Sequence, residues 1–201
     1  MECGLYMKRS DIVRIGIARD YSQNPSALPA VLEAFGCRVF VEHILNKDEL
    51  AAFFDSTTVK AQFTVILTHG WGRTDEEAVL NWPLYNQDDE TLIDFHMTPQ
   101  NIGEIVKKGS GTLISSACWS GKEAFARGFL EAGFSHYIAP ACSSDCSSAL
   151  QFMTAFFGYL RYEERDYKPR TVEIAEAVEL SRRIDDLPDG ANSFRYYGKP
   201  Q

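Results

Sequence analysis

The chain has 201 residues, 45% of them apolar, and a formal net charge of −8. These values fit one globular domain over residues 1–201 with a sizeable core, and they disfavour a nucleic-acid binder, which would carry a basic patch. No apolar run is long enough for a membrane span, no secretory signal opens the sequence, and five irregularly spaced cysteines (3, 37, 118, 142, 146) read as reduced thiols, so a cytoplasmic setting is expected.

Asp11 to Ala18 reads as a first strand. A helix is expected from Pro25 to Phe35, with Asn24 or Ser26 as N-cap and Gly36 as the stop. Cys37 to Ile44 reads as a second strand, and Asn46 opens a short helix to Phe54 with Asp48 and Glu49 in its first turn. Gln62 to Thr68 is apolar enough for a strand buried on both faces. The polar stretch 69–91 suggests an irregular loop, and Thr98-Pro99 suggests a helix that stops at Gly109.

Gly111 to Ala117 is the fourth strand. Ser120-Gly-Lys-Glu123 has the form of a capping box for a helix running to Gly133. Ser135 to Pro140 gives a fifth strand, Ala149 to Tyr162 a helix, 163–170 a charged connection, Thr171 to Ile184 a last helix, and Phe194 to Tyr197 a final strand. Strands alternating with helices imply an α/β fold with a mostly parallel sheet covered on both faces. Ligands bind such sheets beyond the carboxyl ends of the strands.

Two of these strands end on reactive side chains. One runs Phe63-Thr-Val-Ile-Leu-Thr-His69-Gly70; the other runs Thr112-Leu-Ile-Ser-Ser-Ala117-Cys118-Trp-Ser-Gly121. A thiol and an imidazole on the same rim are the minimum apparatus for thiolate catalysis, with His69 as base for Cys118. A helix N-terminus soon after Cys118 would favour the thiolate. The N–H groups of Gly70 and Cys118 could stabilise a tetrahedral oxyanion. Taken alone, a cysteine at the end of an apolar strand is commonly a small core residue.

The two blocks resemble those of CHAT domains, a branch of the caspase-like (clan CD) cysteine peptidases. In caspases the histidine precedes the nucleophile by about 50 residues, and here it does so by 49. The resemblance continues through Ala126-Arg-Gly-Phe-Leu-Glu-Ala-Gly133, Tyr137-Ile-Ala-Pro140, Asp145, Phe152 to Phe157 and Phe194 to Pro200. It implies a caspase-like three-layer sandwich, a His69–Cys118 dyad, a protein or peptide substrate and no cofactor. It also suggests a bacterial stress, death or defence setting. Trp119, and Ala-Cys-Ser-Ser-Asp after Pro140, depart from the family pattern and bear on the substrate pocket.

Such peptidases select the residue before the scissile bond with the end of the first strand and the loop after the strand that follows the cysteine. Those places hold Arg19, Asp20 and Asp145. Asp20 with Asp145 would suit a basic residue, and Arg19 an acidic one. Cys142 and Cys146 lack a second ligand pair, so no metal is expected. A free protease is hazardous to its host, which implies a regulatory partner, a required cleavage or a dimer switch. Two alternatives stand beside this reading. One is a catalytically silent binding module. The other is an α/β-hydrolase, which would need glycines flanking the nucleophile and a later histidine, where only His136 follows.

Overall fold

The structure is a computed structural model that describes residues 11–21, 27–57, 59–86, 89, 91–161, 173–183 and 193–199. Its elements in chain order are β1 (Ile12–Ala18), α1 (Ala27–Ala34), β2 (Arg38–Ile44), α2 (Lys47–Phe54), β3 (Phe63–Leu67), β4 (His69–Trp71), β5 (Val79–Tyr85) and β6 (Leu92–Met97), followed by α3 (Ile102–Ile105), β7 (Thr112–Ser115), α4 (Glu123–Glu131), β8 (His136–Pro140), α5 (Cys146–Arg161), α6 (Ile174–Arg182) and β9 (Phe194–Gly198).

The central sheet has the order β2-β1-β3-β7-β8-β9. Its first five strands run parallel, and β9 closes the edge antiparallel to β8. Alternation along the buried strands sorts the core into two layers. Val13, Ile15, Ile17, Phe63, Val65, Ile114 and Ile138 pack against α1, α5 and α6. Ile66, Leu113, Tyr137 and Ala139 face α2, α3 and α4. The molecule is a three-layer α/β sandwich with a mostly parallel central sheet, as expected. Among the described residues no helix is long and apolar enough to cross a membrane.

One buried charge fastens α2 to the sheet. Arg14 on β1 is 5% exposed. Its Nε and one terminal nitrogen donate to the two carboxylate oxygens of Glu42 at 2.8 and 2.9 Å, and the other donates to the Phe53 carbonyl at 2.7 Å. Glu42→Ala would leave the guanidinium buried beside a single carbonyl. Because Glu42 is itself partly solvated, the expected loss is about 2 kcal/mol, read as a lower urea midpoint.

Three local expectations are corrected. The stretch 69–91 is not an irregular loop: β4 and β5 lie in it and join β6 in a second, antiparallel sheet ordered β4-β5-β6. Pro83 sits inside β5 without breaking it, because β4 pairs only as far as Asn81 and no ladder donor is needed beyond that point on that side. The helix expected from Thr98 to Gly109 is reduced to α3, after a turn in which the Thr98 N–H donates to the Asn101 side chain at 2.8 Å. The capping box at 120–123 does not form. Lys122 is the N-cap of α4 and makes no side-chain cap bond, while Ser120 is fully buried elsewhere. The start of the first expected helix at 25–26 and the charged connection 163–170 lie outside the described residues.

Candidate active site

The carboxyl ends of β1, β3, β7 and β8 share one rim of the central sheet. Beyond β7 the chain enters a tight turn held by a dense set of hydrogen bonds. The Ala117 N–H donates to the Ser115 hydroxyl at 3.1 Å, and the Ser120 hydroxyl donates back to the Ala117 carbonyl at 2.7 Å. The Trp119 N–H reaches the Cys142 carbonyl at 3.1 Å, and the Gly121 N–H reaches Pro140 at 2.7 Å. Two phenols tie down the far side: Tyr137 donates to the Ser120 carbonyl and Tyr197 to that of Gly121, both at 2.9 Å. Burial pushes the Tyr137 hydroxyl far above the ordinary tyrosine range, so it remains a donor.

Trp119 sits at φ +61°, in the left-handed region that a bulky side chain rarely adopts. A residue held in that region marks a turn over-determined by its surroundings. A Cβ at Gly121 would stand 2.5 Å from the Ala139 carbonyl oxygen, so only glycine lets the turn lie against β8.

Cys118 projects from this turn into the loop after β8. Its thiol donates to the Ser144 carbonyl at 3.1 Å and accepts from the Ser144 N–H at 3.3 Å. His69 opens β4, a short strand that crosses directly onto the turn carrying Cys118. A Cβ on Gly70 would meet the Cys118 carbonyl oxygen at 2.4 Å and the Ala117 Cβ at 3.0 Å. That backbone contact makes His69 and Cys118 neighbours on the rim. The His69 imidazole is half exposed, and its Nε2 lies 3.9 Å from an Asp20 carboxylate oxygen.

Tyr21, which the sequence reading passed over, sits beside both. It is 9% exposed, and its ring centroid lies 5.8 Å from that of His69. Its hydroxyl interacts with the Cys146 side chain and lies within electrostatic reach of Cys118. Burial first, and then Cys146, hold the phenol far above its ordinary range. The only sequence signal was a large aromatic directly after the two charges that end β1.

The three residues expected in a substrate pocket have separate partners. Asp20 faces His69. The Arg19 guanidinium lies 4.4 Å over the Tyr85 ring. The Asp145 carboxylate caps α5, accepting from the Ser148 N–H at 2.9 Å and its hydroxyl at 2.8 Å. Those bonds, the backbone one first, hold its carboxyl below the usual range. Asp145→Ala is expected to cost about 1 kcal/mol, as loss of an N-cap does. A depressed native value means the cap contributes in full above about pH 4, where the unfolded carboxyl ionises, and fades as pH falls through the native value. Thermal melts from pH 6 down to pH 3 should therefore converge for wild type and variant. Among the described residues no three metal-ligating side chains converge. His136, the later histidine an α/β-hydrolase would need, begins β8 at the opposite end of the sheet and bonds Tyr196 through Nδ1 at 3.0 Å.

No family model matches the chain, and no curated protein is similar to it in sequence. Its fold is similar to solved structures of caspase-like cysteine peptidases. One is separase from Saccharomyces cerevisiae, crystallised with securin, at 13% identity and a TM-score of 0.57. Another is the Arg-specific cysteine proteinase gingipain R, at 11% identity and a TM-score of 0.55. Each alignment covers 96% of this chain, which spans only 12% of the separase chain and 46% of the gingipain chain.

Proposed function

We propose that this domain is a caspase-like cysteine endopeptidase of the CHAT type, with Cys118 as nucleophile and His69 as its base. The observation that carries the reading is the packing of Gly70 onto the Cys118 carbonyl, which joins the histidine strand to the cysteine turn. His69 takes the thiol proton, and the thiolate adds to the scissile carbonyl. The N–H groups of Gly70 and Cys118 face the developing oxyanion. The imidazolium then protonates the leaving amine, and water, deprotonated by His69, hydrolyses the acyl-enzyme.

The resting thiol is tied to both backbone groups of Ser144, so the 142–145 loop must release it before attack. That contact supports a latent form switched on by a partner protein or by dimerisation, in a cytoplasmic stress or defence pathway. Separase, crystallised with securin, offers a precedent for a protein partner. The substrate is a protein segment, selected at the residue before the cleaved bond by Asp20 and Asp145 or by Arg19.

Two peptide acyloxymethyl ketones, one carrying Arg and one Asp at the reactive position, test the reading on wild type, Cys118→Ala and His69→Ala. Label on wild type alone, mapped to Cys118, is the expected result. Cys118 reacting no faster than Cys37 or Cys142 would favour an uninduced latent form or the silent binding module, and the search would turn to an activating partner.

A further inference from the structure

Three of the chain's five cysteines meet around the nucleophile turn, and peptide hydrolysis needs only one of them. Cys142 is held there by its backbone, through the bond from the Trp119 N–H, but its thiol turns back to the Ser143 carbonyl at 3.4 Å. Cys146 opens α5 two residues after Ser144, the residue that grips the Cys118 sulfur through both its N–H and its carbonyl. The Tyr21 phenol interacts with Cys146 and lies within electrostatic reach of Cys118, so both cysteines lie near one side chain. Both are half-buried, leaving a small oxidant access to them.

We propose that Cys118 and Cys146 form a reversible disulfide, an oxidative off-switch with peroxide as oxidant and Cys146 as the resolving thiol. Cys118 as thiolate attacks one peroxide oxygen. The O–O bond breaks, that oxygen stays on sulfur as a sulfenic acid, and the other leaves and is protonated to water. Cys146, also as thiolate, then attacks the Cys118 sulfur. The S–S bond forms, the S–O bond breaks, and the departing hydroxide takes a proton to give a second water. Two thiols thus lose two electrons and two protons to one peroxide, and a dithiol reductant reverses the change. A transient bond of this kind is the sort that a reducing compartment allows. The 142–145 loop, which already encloses the Cys118 sulfur, would be locked over it.

The consequence for activity rests on the peptidase reading, but the covalent change does not. The full-length chain is treated with one equivalent of hydrogen peroxide, and remaining thiols are alkylated. It is then cut with trypsin and with a protease that cleaves before aspartate, which separates Cys142 from Cys146 at Asp145. The expected product is peptide 109–122 joined to peptide 145–161, lighter by two hydrogens and separated by dithiothreitol. Cys146→Ser should lose the cross-link and leave Cys118 as a dimedone-reactive sulfenic acid, while Cys142→Ser behaves as wild type. A cross-link to peptide 128–144 overturns the proposal, as does wild-type Cys118 passing to sulfinic acid as fast as in Cys146→Ser. Absence of peptide-probe labelling with the cross-link intact would count against the peptidase and leave the disulfide standing.

Discussion

Alanine at position 70 is expected to lower Cys118 labelling by on the order of 100- to 1,000-fold while leaving the chain folded. The new methyl carbon would stand 2.4 Å from the Cys118 carbonyl oxygen, 3.0 Å from the Ala117 Cβ and 3.1 Å from the Val79 carbonyl oxygen. Two of these are backbone atoms, so no flexible side chain can swing aside. Either β4 or the turn carrying Cys118 must retreat, and a displacement of about 1 Å at a reacting centre can cost about 100-fold in rate. Under the proposed mechanism the Gly70 N–H would be displaced as well, and one oxyanion donor is worth about 100- to 1,000-fold.

Overpacking also lowers stability, by about 1–3 kcal/mol, so a control of similar severity is needed. Gly16→Ala provides it. There the added carbon meets the Phe53 ring at 2.7 Å, on β1 beneath α2. The control should melt at a comparably lower temperature and label at close to the wild-type rate. Equal labelling losses in both variants would mean that position 70 acts through stability alone.

The inner parallel strands β1, β3, β7 and β8 were legible because burial on both faces leaves largely apolar runs, and each forms where its run lies; the partly exposed edge strands β2 and β9 also form where they were expected. The second sheet was not legible. β4 is three residues long, β5 carries a proline, and β6 exposes Leu92 and Ile93, so period-2 alternation never develops; what makes these segments strands is pairing with one another. The same limit governs the site. Spacing singled out His69 and Cys118, whereas Ser144 acts through its backbone, which no side-chain pattern reports. Asp145 was assigned to the pocket from the resemblance, by its place in the loop after β8, while α5 was expected to begin only at Ala149. Its actual start at Cys146 turns the same residue into a helix cap.

Removing the His69 imidazole is expected to slow inactivation by either peptide probe by on the order of 1,000-fold, the scale of a lost general base. The variant should remain as stable as wild type, because the side chain is half exposed and its carboxylate contact among the described residues is long. Asp20 decides how much of that base depends on its neighbour. An exposed pair at 3.9 Å is worth less than about 1 kcal/mol, so as a positioning residue Asp20 would lose about fivefold or less on conversion to asparagine. That loss would be the same for both probes, because the histidine serves any substrate. A pocket carboxylate behaves differently: Asp20→Asn would slow the Arg probe alone, by about 100-fold for a desolvated charge pair, and leave the Asp probe unharmed or faster. The contact with His69 favours the first pattern, and a loss confined to the Arg probe would return Asp20 to the substrate pocket.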